Sequence, residues 1–320
     1  MGKSSTVRYL TFLIGVLTIL PALAYSSAGS LEEEIDQLYK LPEERIDIGI
    51  ASLKLAKEVQ PDIDIASYSA MIDDMVKGAR EITKGSTDPD YRIRALNTYL
   101  FMRLRIEYDL SDPQARKPQN RWLNGMLDTK RGSCVTMPLL YLAVAQRLGY
   151  PVYPVNIPLH TFLRYVDPRL KKQNIEATGG GGYVPNGEYI EVFRISKRAM
   201  DSGAYLRTMT YREFLGDLIA QNGVYWGMRG DYEKAARYLE KAINMNPRSA
   251  DIHQMLGIID LHLSRMANGA LANDLMKQGH FFINMAQSMG VTEISPDEDY
   301  MGQQKKAQEK YRQEHKEEYQ

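Results

Sequence analysis

The sequence predicts an α+β protein in which helices precede and follow one small antiparallel sheet. Apolar residues recur with the 3.6-residue period of amphipathic helices between residues 40 and 104, and the helical pattern returns after residue 211. Between these two regions, short segments rich in valine, isoleucine and aromatic residues are typical of strands. One apolar helix directly precedes those segments.

The composition of the chain excludes several classes of protein without selecting one. The 320 residues include 40 basic and 40 acidic side chains, so the formal net charge is zero. Because nucleic-acid-binding domains are usually strongly basic, this balance argues against a nucleic-acid partner. A single cysteine cannot form an internal disulfide framework or a CxxC site for zinc or redox chemistry. A chain of this length has room for about two domains.

The first thirty residues have the pattern of a secretory signal peptide. Lys3 and Arg8 give a positive start, residues 10–23 are almost continuously apolar, and residues 22–24 form an A-x-A cleavage pattern. The apolar run is shorter than the roughly 20 residues that a membrane-spanning helix needs. We therefore expect cleavage after Ala24 and a periplasmic or secreted protein. The alternative is an uncleaved N-terminal anchor, which is the one predicted route to a membrane.

Helices are predicted in order from residue 30 to about residue 104. Residues 30–33 form a capping box, which marks the start of a first helix. A second helix stops before Pro61, and a third follows the 3.6-residue period over residues 68–82. Asp88-Pro89 opens a fourth helix, because proline is favoured in a first turn. Residues 111–120 are a polar loop, and the whole region is interpreted as a helical packing unit.

From residue 121 the pattern changes to one helix followed by short strands. Pro138 fits the first turn of that helix, and Gly149 ends it. The predicted strands are residues 152–157, 160–166, 173–177 and, as a possible fourth, 188–194. Pro154 weakens the first strand because proline cannot donate to a sheet ladder.

After residue 211 the chain has the spacing of a tetratricopeptide repeat. The matching positions are Gly230, Tyr232, Ala235, Leu239, Ala242 and Pro247. Small residues let two antiparallel helices approach, and the proline ends the second. Leu256 and Gly257 fit a second repeat, whose other helix would hold Gly279, Ile283 and Ala286 after an insertion of roughly ten residues.

The chain is therefore divided into four predicted parts. They are a signal peptide (1–24), a core domain with a helical N-terminal part (31–210), a tetratricopeptide-type repeat unit (211–290) and a charged tail (291–320). Two repeats are too few for an independent solenoid, so we expect the repeat unit to pack on the core domain. The tail lacks an apolar face and is predicted to be a solvated helix extension or a disordered segment, not a binding motif.

One cysteine and one histidine between residues 25 and 220 are candidates for chemistry. Cys134 lies at the predicted start of a helix, where backbone N–H groups and the helix dipole favour a thiolate. His160 begins a strand that could return to this point and protonate a leaving amine. Asn174 and Glu176 lie on one face of the next strand, and either could orient the imidazole. The alternative is that Cys134 is only a buried apolar residue and His160 only a packed one.

These candidates lie in segments that resemble the core of the transglutaminase-like superfamily. The segments are RGSC (131–134), RLGYPV (147–152) and NIPLHTFLRY (156–165). More closely, the chain resembles a bacterial branch whose core is followed by tetratricopeptide repeats, over most of residues 40–260. The resemblance implies a papain-like fold with Cys134 as nucleophile and His160 as base. Glu176 stands where the branch has an aspartate, and the proline that follows that aspartate is absent here.

Two functions of different classes remain open from the sequence. The first is an exported thiol-dependent acyl-transfer enzyme, a protease, amidase or transglutaminase-like enzyme acting on protein or peptide amides through Cys134, His160 and Glu176 or Asn174. Backbone N–H groups around Cys134 would stabilise the oxyanion. No metal or organic cofactor is expected, because no ligand spacing such as HExxH is present. The repeat unit would bind the protein or peptide partner.

The second function is a non-catalytic protein-interaction scaffold. In that interpretation the core is degenerate and the repeats bind a partner. Glu176 in place of aspartate favours the scaffold, and so does the lack of another polar cluster in the sequence. The rate at which iodoacetamide labels Cys134 below pH 7 distinguishes the two, since a primed thiolate reacts quickly.

Overall fold

The computed structural model describes residues 36–291 and 300–319. The predicted signal peptide (1–24) and the capping box at 30–33 lie outside the described residues. None of the helices in the described ranges is long and apolar enough to cross a bilayer.

The described chain is mostly helical, in agreement with the α+β prediction. Residues 36–40 are helical, and the helices that follow are numbered here in chain order. They are α1 (Ile48–Val59), α2 (Ile65–Thr83), α3 (Pro89–Asn97), α4 (Pro118–Arg121), α5 (Leu123–Thr129), α6 (Thr136–Arg147), α7 (Asn186–Val192), α8 (Lys197–Asp201), α9 (Tyr211–Met228), α10 (Tyr232–Met245), α11 (Ala250–Met266), α12 (Gly269–Met289) and α13 (Tyr300–Glu314). A π-helical segment, Thr98–Arg103, continues α3, and short 3-10 turns occur at Glu43–Arg45, Ala177–Gly179 and Lys316–Glu318.

The first three helices begin at aspartates that the chain supplies just before them. The side chains of Asp47, Asp64 and Asp88 each accept a hydrogen bond from a backbone N–H in the first turn. These N–H groups have no partner within a helix, so a capping carboxylate fixes where each helix starts. Asp88 is followed by Pro89 in the first turn, as the sequence predicts.

The sheet that positions the site is a three-stranded antiparallel one. β3 (Val152–Ile157) and β4 (His160–Tyr165) form a hairpin, and β5 (Asn174–Ile175) pairs with the other edge of β4. Arg164 lies opposite Asn174 in that pairing. A separate two-stranded ribbon, β1 (Glu107–Tyr108) and β2 (Arg131–Gly132), is parallel. It was not predicted, because two-residue strands leave no periodic pattern.

Residues 188–194 do not form the fourth strand that their alternation suggested. Most of the segment lies in α7, and Pro185 stands at its N-cap. Tyr189, Val192 and Phe193 have the i, i+3, i+4 spacing of a helix face, and all three are buried. Such a short segment fits both the two-residue period of a strand and the 3.6-residue period of a helix, so tertiary packing decides its conformation.

Helix α6 lies at the centre of the molecule. Every residue from Thr136 to Ala145 is buried, which matches the nearly continuous apolar run in the sequence. α1, α2 and the β3–β4 hairpin surround it in the main core. A second, smaller core fills the space between the sheet and α7, where the Phe162 and Tyr189 rings stack 4.1 Å apart.

Helices α9 to α12 pack as two successive hairpins, α9 with α10 and α11 with α12. Small residues permit the close approach, as predicted, and the clearest case is the contact of Gly257 with Gly279. A Cβ on Gly257 would lie 2.7 Å from the Gly279 carbonyl oxygen, and one on Gly279 would lie 2.8 Å from the Gly257 carbonyl oxygen. The assignment of these hairpins to tetratricopeptide repeats stays a prediction.

Replacing Gly257 by alanine is expected to lower the free energy of unfolding by about 1–3 kcal/mol, because the added methyl overpacks two backbones that cannot separate cheaply. Urea unfolding measures the change. Gly182→Ala is the control, since a Cβ there would meet nothing closer than 3.9 Å. Equal stabilities of the two variants would contradict the close helix approach.

The C-terminal segment is helical but is not solvated on all sides. Tyr311 of α13 is buried, and Arg312 pairs with the buried carboxylate of Glu188 on α7 at 3.1 Å. The Tyr319 hydroxyl donates to the same carboxylate. A single buried aromatic residue leaves no periodic apolar face, so the sequence pattern did not reveal this contact.

Candidate active site

Cys134 lies in the turn between β2 and α6, two residues before the helix begins. Ser133 caps this turn, because its side-chain oxygen accepts from the backbone N–H groups of Val135 and Thr136, each at 3.3 Å. The Cys134 side chain is half-buried and its thiol is free. Within the described chain its own backbone N–H has no hydrogen-bond acceptor. The turn therefore presents a thiol and an unused donor together.

The β3–β4 hairpin brings His160 to the same place. Pro158 and Leu159 form the two-residue turn, and the Leu159 carbonyl oxygen lies 3.6 Å from the Cys134 sulfur. His160 follows directly as the first residue of β4. Its ring stacks on Phe193, with centroids 5.7 Å apart. The imidazole is thus held by a strand on one side and by an aromatic ring on the other.

Glu176 contacts His160 through the Nε2 nitrogen of its ring. The Glu176 Oε2 atom lies 2.8 Å from His160 Nε2, and the two side chains are only 12% and 11% exposed. Because Nε2 faces the carboxylate, Nδ1 is the ring nitrogen available to the sulfur. Cys134 acts on the pKa of the same ring, so Cys134, His160 and Glu176 lie in one cluster.

The Glu176 carboxylate has a full set of hydrogen-bond donors. Its Oε1 atom accepts from the Thr178 backbone N–H at 3.0 Å and from the Thr178 hydroxyl at 2.6 Å. Its Oε2 atom accepts from the Tyr189 hydroxyl at 2.8 Å as well as from His160. A largely buried carboxylate needs such partners, and these donors hold the glutamate side chain in place.

The glycine run after Glu176 folds back against the helical lead-in. Gly181 has a φ of +82°, and a Cβ there would lie 2.2 Å from the Asn97 side chain, so only glycine fits. Asn97 donates to the Gly181 carbonyl at 2.7 Å. Behind this loop, a cavity of about 350 Å³ is lined by Glu176 and by Arg312, Lys316 and Tyr319 of the C-terminal segment.

The electrostatics of the pair are those of a buried ion pair. Burial lowers the pKa of His160, but the Glu176 carboxylate and hydrogen bonds to Cys134 and Glu176 outweigh it and hold that pKa well above 6.5. Burial raises the pKa of Glu176, but the charge of His160 and hydrogen bonds from His160, Thr178 and Tyr189 bring it well below 4.5. Both shifts favour the ionised pair, an imidazolium beside a carboxylate.

Replacing Tyr189 by phenylalanine is expected to raise the pKa of Glu176, since one of its donors is lost. A hydrogen bond to a charged group contributes about 1.5–3 kcal/mol, and we expect the free energy of unfolding at pH 7 to fall by that order. Glu176 stabilises the fold above pH 4.5, and its contribution is lost as the pH falls towards its native pKa, so the acid limb of the stability profile moves to higher pH.

Carbon-13 NMR of the Glu176 carboxyl and urea unfolding across pH measure the Tyr189→Phe effect. Tyr183→Phe is the control, because Tyr183 is half-buried on the neighbouring loop and its hydroxyl does not bond to Glu176. An acid limb that stays in place in Tyr189→Phe would show that the hydroxyl does not support the carboxylate.

Of the two open candidates for orienting His160, the structure brings only Glu176 to the ring. Asn174 accepts from Arg164 Nε at 3.0 Å and donates to the Val184 carbonyl at 2.9 Å. It lies opposite Arg164, four residues along β4 from His160. The two-residue alternation shows which face a side chain is on, but the strand register decides which partner it meets.

Sequence reasoning missed Tyr189, Thr178 and Tyr108 as parts of the site. Tyr189 lies in the segment interpreted as a strand, so its position was not foreseen. Thr178 follows Glu176 by two residues, a spacing that could have indicated a local side-chain to backbone turn. The pKa of Tyr108 is raised first by burial and then by the charge on Cys134, which places this phenol near the sulfur.

The described residues contain no group of three or more histidine, cysteine, aspartate or glutamate side chains that could hold a metal ion.

Comparison with known proteins supports the superfamily that the sequence resembles. Residues 66–219 match the family model described as the transglutaminase-like superfamily. A UPF0162 protein of Xylella fastidiosa strain Temecula1 is 24% identical over 249 residues, which are 76% of this chain and 86% of that protein. A UPF0162 protein of Xylella fastidiosa strain 9a5c is 27% identical over 130 residues, which are 40% of this chain and 45% of that protein.

A eukaryotic protein shares a shorter stretch. Human F-box only protein 21 is 27% identical over 122 residues, which are 32% of this chain and 19% of that protein. The chain thus spans well under two thirds of some of the relatives it matches. No solved structure matches it significantly. The matches support a transglutaminase-like core, while the bacterial branch and the repeats stay predictions.

Proposed function

We propose, from the superfamily match over residues 66–219, that this protein is a thiol-dependent acyl-transfer enzyme that acts on protein or peptide amides. The observation that carries the proposal is the cluster of Cys134, His160 and Glu176. A free, half-buried thiol raises the pKa of an imidazole whose Nε2 atom contacts a largely buried carboxylate at 2.8 Å. A nucleophile, a base and an orienting acid in this order are the parts that acyl transfer requires.

The chemistry can be written with these groups alone. The Cys134 thiolate attacks the carbonyl carbon of an amide, and the oxygen becomes an oxyanion that the Cys134 backbone N–H stabilises. The C–N bond then breaks, and the His160 imidazolium gives its proton to the departing amine. A thioester remains on Cys134. Water or a second amine attacks the thioester while His160 takes a proton, and the thiolate is released.

Glu176 stays ionised throughout this cycle. Its role is to keep the imidazole oriented with Nδ1 towards sulfur and to stabilise the imidazolium. Glutamate replaces the aspartate of the resembling branch, and the donors from Thr178 and Tyr189 hold its carboxylate at His160. Because these donors fix the carboxylate beside His160, a glutamate in place of the aspartate is compatible with activity.

The cellular setting belongs to the same proposal. The N-terminal pattern favours export to the periplasm or the medium, and the hairpins of α9 to α12 would bind a protein or peptide partner. Fractionation of cells that express the full chain tests the first part. N-terminal sequencing of the exported form should begin at Tyr25 if residues 1–24 are a cleaved signal peptide.

Trapping the acyl-enzyme tests the proposed reaction. The chain from Tyr25 onward is incubated with a peptidyl p-nitroanilide panel, and intact mass spectrometry follows acylation of Cys134. We expect a thioester adduct that hydroxylamine removes and that Cys134→Ala lacks. Absence of any adduct, together with iodoacetamide labelling at pH 6 no faster than that of free N-acetylcysteine, would reject the enzyme.

A non-catalytic interaction scaffold is the second candidate, and the surface of α12 favours it. Leu271, Phe281 and Met285 are exposed on the outward side of this helix at 54%, 57% and 36%. Apolar residues grouped on one side of a helix are common where a partner docks. If the trapping experiment fails, these residues are the surface to test for binding.

A further inference from the structure

Asp217 on α9 links the β3–β4 hairpin to the helices that follow the core. Its Oδ1 atom accepts from the side-chain amide of Asn246 at 2.9 Å, and its Oδ2 atom accepts from the side-chain amide of Asn156 in β3. Burial raises the pKa of Asp217 to about 7, although these two hydrogen bonds act to lower it. Above neutral pH the carboxylate is therefore ionised and serves as acceptor for both amides.

Close packing of α9 against the end of α10 fixes the position of Asp217. A Cβ on Gly216 would lie 2.9 Å from the Ala242 carbonyl oxygen and 3.1 Å from the Asn246 backbone nitrogen, so a glycine is needed for this approach. Asn246 is buried and forms the C-cap of α10. Asp217 and Asn246 together thus form a firmly packed support for the side chain of Asn156.

Asn156 extends this support to the residue that follows His160. Its side-chain carbonyl oxygen accepts from the Thr161 hydroxyl at 2.7 Å, and the two residues lie opposite each other in the hairpin register. The next pair in that register is Ile157 with His160, at the closed end of the hairpin. A chain of side-chain hydrogen bonds therefore runs from Asp217 through Asn156 to Thr161, one residue from the candidate base.

We propose that Asp217 is a positioning residue, which holds the closed end of the hairpin so that His160 stays aligned with Cys134 and Glu176. The inference rests on the proposed function and adds a residue that acts through the hairpin. Two contacts depend on this end: the Leu159 carbonyl oxygen lies 3.6 Å from the Cys134 sulfur, and His160 Nε2 lies 2.8 Å from Glu176 Oε2. A displacement of about 1 Å disturbs both and can slow catalysis about a hundredfold.

Exchanging the amide and the carboxylate tests the link. In Asp217→Asn, position 217 offers one carbonyl oxygen to two amide donors, so one N–H group faces another. The exchange variant, Asn156→Asp with Asp217→Asn, satisfies every group again. The amide at position 217 donates to the carboxylate at position 156, which still accepts from the Thr161 hydroxyl, and the carbonyl oxygen at position 217 accepts from Asn246.

Two measurements report on the alignment of His160. Proton NMR of the ring follows the pKa of His160, which is raised to about 10 in the wild type, and intact mass spectrometry at pH 8 follows acylation of Cys134. We expect Asp217→Asn to lower that pKa by about one unit, a tenfold change in proton affinity. It should also slow acylation by about ten- to a hundredfold. The exchange variant should return both values to those of the wild type.

Two further variants separate alignment from a general loss of stability. Asp47 pairs with Arg147 at 3.0 Å, and neither side chain bonds to the hairpin, so Asp47→Asn should keep the wild-type pKa and rate. Thr161→Val removes only the last hydroxyl of the chain and keeps the shape of the side chain. It should shift both values in the same direction as Asp217→Asn, and it provides the readout if Asp217→Asn does not fold.

The outcomes separate the positioning role from the proposed enzyme. Wild-type values in Asp217→Asn or in Thr161→Val overturn the role of Asp217, and so does an exchange variant that behaves like Asp217→Asn. If the wild type forms no acyl-enzyme, the enzyme proposal fails instead. The pKa of His160 still shows in that case whether Asp217 holds the ring beside Glu176.

Discussion

Replacing His160 by alanine is expected to slow acylation of Cys134 by about two to four orders of magnitude, the usual contribution of a positioned general acid–base. The variant loses the group that stabilises the thiolate and the proton donor for the leaving amine. Stopped-flow or quenched mass spectrometry of the acyl-enzyme measures the rate. The loss should be seen at pH 6 for iodoacetamide labelling as well, since that reaction needs only the thiolate.

His280→Ala is the matched control for this variant, because His280 is exposed on α12 and far along the chain from the site. Its labelling and acylation rates should equal those of the wild type. If His160→Ala acylates as fast as His280→Ala, the imidazole takes no part in the chemistry and the scaffold becomes the better account.

The helical parts of the fold were predictable because their signals are local. Asp88-Pro89 marks the start of α3, and the apolar run after Pro138 marks the buried helix α6. Packing that depends on one residue was not predictable. Tyr311 is the one buried aromatic residue among the described residues of the C-terminal segment, and a short segment such as α7 fits two periods until its neighbours are known.

The cysteine and the histidine of the candidate site could be predicted, because both residue types are rare in this part of the sequence. Cys134 is the only cysteine and His160 the only histidine between residues 25 and 220 of the sequence. The choice between Asn174 and Glu176 was not predictable, since both lie on one face and only the register of β4 with β5 separates them. Tyr189 could not be found at all, because its role depends on α7 lying over the sheet.

Replacing Glu176 by glutamine is expected to lower the free energy of unfolding by about 3–5 kcal/mol at pH 6, the usual effect of removing one partner from a buried ion pair. His160 would then be buried without the counter-charge of Glu176, and since burial lowers its pKa, the imidazole would lose its proton at a lower pH than in the wild type. The hydrogen bonds from Thr178 and Tyr189 would also weaken, since they would end on a neutral amide.

The two shifted pKa values determine how the free energy of unfolding depends on pH. The pKa of His160 is raised to about 10, so its contribution is complete below pH 6.5 and is lost as the pH rises towards 10. The pKa of Glu176 is lowered to about 2, so its contribution is complete above pH 4.5 and is lost as the pH falls towards 2. The wild type should gain most from the pair between pH 4.5 and 6.5, and both limbs should flatten in Glu176→Gln.

Glu107→Gln provides the comparison that separates a buried pair from an exposed one. Glu107 pairs with Arg131 at 2.8 Å, but both side chains are more than half exposed. Removing such a surface charge changes stability by about 0–1 kcal/mol, because water replaces the partner. Urea unfolding from pH 4 to pH 9 measures how the free energy of unfolding of each variant depends on pH. A Glu176→Gln profile that parallels Glu107→Gln would mean that His160 is not a buried cation, and the proposed proton transfer to the leaving amine would lose its donor.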